Sequence, residues 1–199
     1  MIIPKLKAKH FGIMLFLLLA LLMSSCINPF RPRLFDISGD EIQNRSPIEL
    51  LQNLERAYTE KNMNIYRSLL HEDFKFELIA SEVSQIGIDV NGDGLRDSWW
   101  GYEQEIELTD RMFNIGSSDG LYPPPDEINL RLQIPPQEVW ENDPELGHQD
   151  WIVIPCSFDL LLTYAGTSSS FNANGVARFY LRPEADRWYI AIWRDESNL

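Results

Sequence analysis

Residues 89–100, DVNGDGLRDSWW, set oxygen-bearing side chains at alternate positions. Counted from Asp89, the residues Asp89, Asn91, Asp93, Leu95 (through its carbonyl) and Asp97 occupy positions one, three, five, seven and nine, with Gly94 at six. A calcium loop needs that spacing: alternate residues must turn oxygens toward one ion about 2.4 Å away, and a glycine must make the sharp turn. The set departs at position twelve, where Trp100 replaces a bidentate glutamate. Glu103 or Glu105 could stand in only if the next helix bends toward the loop, and water is the other substitute. The competing reading is a plain Asx-turn loop, because Asp, Asn and Gly favour turns whatever they bind, with Asp97 or Ser98 capping the next helix. Five matching positions exceed what a turn requires. The expectation is a weak, structural Ca2+ site, in the range of roughly 0.1–1 mM found for extracellular modules.

A second grouping is His71 with Asp73, near Tyr66. A His–Asp pair at a pocket mouth can do general acid–base work. LHEDF also fits a helix end, where a histidine in the last turn complements the dipole. Neither residue stands beside a recognisable nucleophile. The other histidine beyond the N-terminal segment, His148, lies in a loop with Asp150, and scattered histidines without a Cys–His cluster argue against zinc. No phosphate-binding glycine loop and no Ser-His-Asp signature appears. Cys156 falls on the apolar phase of a strand and reads as an inert buried thiol.

These groups need a scaffold. Ser46, Pro47 and Glu49 form a helix start with a capping box, followed by an apolar stripe of Leu50, Leu51, Leu54, Ala57 and Tyr58. A break near Asn62 precedes a second, short helix through Ile65 to Leu70. Phe74, Phe76 and Leu78 alternate as a strand. Trp99, Tyr102, Ile106, Thr109 and Phe113 recur at helical steps, with Glu103, Glu105, Glu107 and Asp110 on an acidic outer surface. Beyond, the period becomes two: Ile128 to Ile134, Ile152 to Tyr164, Phe171 to Leu181, and Trp188 to Trp193. In the last strand Trp188, Ile190 and Ile192 share one phase, and Tyr189, Ala191 and Trp193 the other. Both faces are apolar, so Tyr189 and Trp193, together with Tyr66, are expected to line either a pocket for an apolar ligand or a homodimer face. The expected class is α+β: two helices, a strand, a third helix, then a run of long strands.

The 199 residues carry a formal charge of −13, and every acidic residue lies from Asp36 onward. So acidic a surface repels phosphate backbones, which argues against a nucleic-acid partner. The N-terminal segment reads as an address. Lys5, Lys7 and Lys9 precede an apolar run from Phe11 to Met23, too short for a span of roughly twenty residues. LLMSSC resembles a bacterial lipobox, with Met23 a weaker fit than leucine. That resemblance implies cleavage after residue 25, acyl chains on Cys26, and anchoring to a bacterial cell envelope, at the outer membrane if the source is Gram-negative. The alternative is an ordinary cleaved leader with Cys26 an incidental thiol. Residues 26–45, rich in proline, read as a tether, and residues 46–199 as the folded domain.

Residues 48–78, IELLQNLERAYTEKNMNIYRSLLHEDFKFEL, the tryptophan-led segment at Trp99, and DRWYIAIWRDE near the C-terminus together resemble the nuclear transport factor 2-like superfamily. The Asp73-Phe74 pair opening the first strand belongs to that pattern. The resemblance implies a strongly bent antiparallel sheet wrapped on helices, forming a cone with a pocket, a fold that serves dehydratases, isomerases, cyclases and non-catalytic binding proteins. The loop at Asp89 resembles the calcium loops of dockerins and thrombospondin type 3 repeats. The functional expectation is a membrane-anchored lipoprotein whose cone binds a small apolar ligand or a protein and is not an enzyme. A dehydratase- or isomerase-type enzyme and a structural envelope protein are the alternatives.

Overall fold

The computed structural model describes residues 42–167 and 169–197. The leader, Cys26 and most of the tether lie outside the described residues. Helix α1 (Pro47–Thr59) begins where expected: the Ser46 hydroxyl accepts from the Glu49 N–H at 3.2 Å. The Glu49 carboxylate reaches back to the Arg45 N–H at 2.9 Å, one residue before the cap. Leu50, Leu51, Leu54, Ala57 and Tyr58 form its buried stripe. Lys61 turns the chain with φ +49°, and Asn62 caps α2 (Met63–Leu69) by accepting from the Asn64 and Ile65 amides.

Strand β1 (Leu70–Glu77) follows without a loop. A single turn, α3 (Val83–Ile86), leads to the Asp-rich loop, β2 (Trp99–Gly101) and α4 (Tyr102–Asp110). A π-helical turn (Arg111–Ile115) extends α4 and is ended by Gly116 at φ +97°. There a side chain would strike the Tyr122 carbonyl, so the turn requires glycine. Then come β3 (Glu127–Gln133), the short β4 (Glu141–Asn142), and three long strands: β5 (Ile152–Tyr164), β6 (Ser169–Glu184) and β7 (Arg187–Asp195).

The strands form one strongly curled half-barrel in the order β2-β1-β7-β6-β5-β3, with β4 added beside β5. Helices α1 and α2 pack on β3 and β7, and α4 on β1. The core between helices and sheet gathers the α1 stripe, Ile128, Leu130, Ile154, Cys156, Phe179 and Leu181. Among the described residues all strand pairs are antiparallel but one: β1 and β7 run parallel. The expected wholly antiparallel sheet is corrected there. The strand after the helices runs alongside the last strand of the chain, and neighbours so distant in sequence are free to pair in either direction.

Two further expectations are corrected. The helix placed from Trp99 starts at Tyr102, because Trp99, Trp100 and Gly101 pair with Glu77, Phe76 and Lys75. Aromatic residues suit a pleated edge, and Trp100 stacks on Phe76 with centroids 4.3 Å apart. In β7 the simple alternation breaks. Tyr180 pairs with Ile192 and Leu181 with Ile190, so Ala191 is an extra residue between them. This β-bulge resets the phase. Ile190 and Trp193 both enter the main core, while Ala191 and Ile192 join Val153, Tyr180 and Trp151 on the other face. Trp193 therefore does not share a face with Tyr189; it is buried against Phe179 and Phe76.

Candidate functional site

Glu105 is buried, as Glu82 and Asp143 are, and is not part of an acidic outer surface. The Tyr66 hydroxyl donates to its Oε1 at 2.5 Å, the Thr109 hydroxyl to the same oxygen at 3.0 Å, and the Trp100 indole N–H to Oε2 at 2.6 Å. Tyr66, Tyr58 and Phe113 meet edge to face, with centroids 5.2–6.0 Å apart. Burial first, and the Glu105 charge second, push both tyrosine hydroxyls above the usual phenol range. The phenols stay protonated, which keeps Tyr66 a donor. An acid beside phenols resembles acid–base machinery in type. Here both carboxylate oxygens are spent internally, and Tyr66 and Phe113 are fully buried. The Glu105–Thr109 spacing of four is the one sequence signal for this cluster; the reach of Trp100 and Tyr66 to it is tertiary.

His71 lies near the start of β1, not in a helix end. It is buried. Its Nδ1 accepts from the Asp73 N–H at 3.0 Å, with the Asp73 carboxylate 3.6 Å away. Its Nε2 is 3.4 Å from Glu184, and Tyr189 packs edge-on to the ring. Arg182 stands 3.6 Å from Asp73. His71, Asp73 and Tyr189 thus converge at one place, while Tyr66 and Trp193 lie elsewhere in the core.

The Asp-rich loop folds on itself. Asp89 accepts from the amides of Gly92, Asp93 and Gly94 at 2.7, 3.2 and 2.8 Å. Asn91 accepts from the Asp93 amide, Asp93 from that of Leu95, and Asp97 from that of Val90. Gly92 and Gly94 take φ of +77° and +85°, and an Ile88–Asp97 bridge closes the loop. Asp97 therefore closes the loop and caps no helix. Glu105 cannot complete an ion's shell, since its oxygens belong to Tyr66, Thr109 and Trp100. Among the described residues, three acidic or imidazole ligand atoms come within 4.8 Å of one another at His71–Glu72–Asp73 and at Asp143–Glu145–His148, not at Asp89, Asp93 and Asp97. The partner of His148 is Asp143, at 2.7 Å, rather than Asp150, and its ring stacks on Trp151 at 3.6 Å. Cys156 is fully buried, and burial, then the nearby Glu55 charge, push its thiol up to about 12.

Sequence reasoning did not foresee the cavity of about 550 Å3 between the end of α4, the loop of residues 116–125 and the far end of the β5–β6 hairpin. Leu108, Met112, Tyr122, Leu162, Tyr164 and Phe171 line it, with Pro123, Pro124 and Pro125 as one wall. Arg111 is its charged member, and the guanidinium is held by Glu107 at 2.8 and 3.1 Å. Tyr66, Tyr189 and Trp193, expected to line a pocket or an interface, are not among its lining residues.

No protein-family model and no curated relative matches the sequence. Solved structures do match. A conserved protein from Planctomyces limnophilus superposes with a TM-score of 0.50 at 11% identity, over 73% of this chain and 88% of that one. A candidate aromatic-ring hydroxylase from Novosphingobium aromaticivorans gives 0.51 at 14% identity, over 80% and 92%. A candidate scytalone dehydratase from the same organism gives 0.51 at 7% identity, over 78% and 83%. The chain has the nuclear transport factor 2-like fold. Identities this low establish the cone and nothing about chemistry, because that cone carries sites of many kinds. In this nuclear transport factor 2-like cone the interior is packed by the Tyr58–Tyr66–Phe113 cluster around Glu105, and an apolar cavity opens beside it at the end of α4.

Proposed function

We propose that the protein is an envelope lipoprotein, anchored through acyl chains on Cys26, whose cone domain binds a small apolar ligand and catalyses no reaction. The apolar cavity at Leu108, Met112, Leu162 and Phe171 carries this reading. Its volume falls in the range of small-molecule sites, about 300–1,000 Å3, and its lining is mostly hydrocarbon and aromatic. The dehydratase or isomerase alternative asks for an acid or base that touches substrate. Glu105, a buried acid, accepts hydrogen bonds on both oxygens from Tyr66, Thr109 and Trp100, and it is not among the residues lining the cavity.

The test is native mass spectrometry of the full chain isolated from its membrane, beside a Met112→Arg variant. A bound apolar species that is present in the parent and absent from the folded variant supports the reading. A parent that carries no ligand and takes up no apolar fluorescent probe overturns it.

A second reading concerns the loop at Asp89, as a calcium staple that stiffens the approach to β2. Its support is the inward hydrogen-bonding of Asp89, Asn91 and Asp93 around Gly94.

A further inference from the structure

Between β4 and β5, the loop of residues 143–151 brings two carboxylates to one imidazole nitrogen. Asp143 Oδ2 lies 2.7 Å from His148 Nδ1, and Glu145 Oε2 lies 3.7 Å from the same atom. The three ligand atoms fall within 4.8 Å of one another. The cluster at His71 lacks this convergence. There Asp73 approaches Nδ1 and Glu184 approaches Nε2, on opposite sides of the ring, and Nδ1 already accepts from the Asp73 amide.

The loop holds the three residues in place. The Asp143 N–H donates to the Trp151 carbonyl, the Trp151 N–H to that of His148, and the His148 N–H to that of Glu145. The Glu145 N–H donates to Asp143 Oδ1 at 3.1 Å. The His148 ring lies flat on Trp151, which packs with Val153, Tyr180 and Ala191 against the sheet. The charges at this place do not balance. The Asp143 side chain is only 5% exposed, and a buried carboxylate is costly without a countercharge. Among the described residues, the ion pairs of Asp143 and Glu145 go to His148 alone. No lysine or arginine occurs from Leu132 to Ala177.

We propose that Asp143, Glu145 and His148 bind a divalent ion of the zinc class, which staples this loop to the sheet and keeps water as its remaining ligand. The site is separate from the apolar cavity and does not depend on what that cavity binds. One imidazole nitrogen with two carboxylate oxygens is a zinc donor set. Calcium takes about six to eight oxygens, more than the three residues offer. Around a tetrahedral zinc, with bonds of about 2.0–2.2 Å, ligand atoms stand about 3.3 Å apart. The 2.7 Å separation must open and the 3.7 Å separation close by about 0.5 Å each. The Glu145 side chain, 68% exposed, is free to make that movement. The ion takes the place of the hydrogen that His148 Nδ1 donates to Asp143, and the neutral ring then carries its proton on Nε2.

The test uses the full, untagged chain in detergent, stripped with a chelator and titrated with Co2+ and then with Zn2+. Cobalt reports the geometry through its visible absorption, and zinc binding is read by calorimetry. A cobalt band that saturates at one equivalent and is bleached by zinc is expected, with a rise in melting temperature when zinc is added. Glu145→Gln and His148→Gln should each weaken zinc binding at least about tenfold, since losing a ligand costs no less than losing a partner of a ligand. Glu145 is exposed, so its variant keeps the fold, which circular dichroism checks. His71→Gln and Asp93→Ala should leave the zinc constant unchanged, because they alter the other two acidic clusters. A zinc constant unmoved by Glu145→Gln and His148→Gln would overturn the site. So would a folded parent with no cobalt band and no zinc heat at about 1 mM, far above what a structural zinc site needs.

Discussion

Tyr66 on α2 donates its phenolic proton to Glu105 on α4 at 2.5 Å, across 39 positions of sequence. That bond, with those from Trp100 and Thr109, ties both helices to the strand edge at β2. Glu105→Ala would leave three buried donors without an acceptor, at about 1–3 kcal/mol each. We expect a loss of at least about 3 kcal/mol in denaturant unfolding, and a smaller loss for Tyr66→Phe, which leaves the carboxylate two donors. An alanine variant within about 0.5 kcal/mol of the parent would show that the cluster is not structural.

Glu77 and Arg194 face each other across the parallel β1–β7 pair, with Arg194 Nη2 and Nε at 2.6 and 2.8 Å from one carboxylate oxygen. Partial burial alone would raise the Glu77 pKa; hydrogen bonds from Lys75 and Arg194 outweigh it and hold the carboxyl below its ordinary value of 4.5. A depressed carboxylate stabilises the fold fully above its unfolded pKa and loses that contribution as pH falls through the folded one. The melting-temperature gap between the parent and Glu77→Gln should therefore be steady near neutrality and shrink below about pH 4. A gap that persists to pH 2 would contradict the pairing.

The Cys156 thiol, raised to about 12 by burial and the Glu55 charge, is almost wholly protonated at pH 8. Native protein should resist alkylation at Cys156 for hours and react once denatured. Mass spectrometry of the denatured, membrane-derived chain then counts thiols. One alkylated cysteine agrees with an acylated Cys26; two would show that Cys26 is free.

For the loop at Asp89, calorimetric titration of calcium should give a constant in the range of about 0.1–1 mM. At a concentration of 100 times the constant, calcium should stabilise the protein by about 2.7 kcal/mol, read as a rise in melting temperature. Asp93→Ala should abolish both signals. No heat at several millimolar would leave Asp89 to Asp97 as the self-bonded turn that Gly92 and Gly94 already permit.

The helix at Ser46, its apolar stripe and the alternation of β3 and β5 were legible because each follows from neighbours within a few residues. Capping is a contact over three positions, and burial of one face repeats at a fixed period. The Trp99 segment was misjudged because its helical spacing is real, but Phe76 offered it a better partner. The cavity left no trace in any local pattern. Its walls come from α4, a proline loop and a hairpin separated by dozens of residues.

By itself, then, the sequence determined the class of fold, the first two helices and the alternation of the long strands, since periodicity and capping are local physics. Tertiary structure alone decided which way β1 runs beside β7, where the bulge at Ala191 sends Trp193, and that Glu105 is an interior acid. Each of these is a choice between faces or partners of nearly equal local cost, and only the assembled core, by burying one option and satisfying its polar groups, separates them.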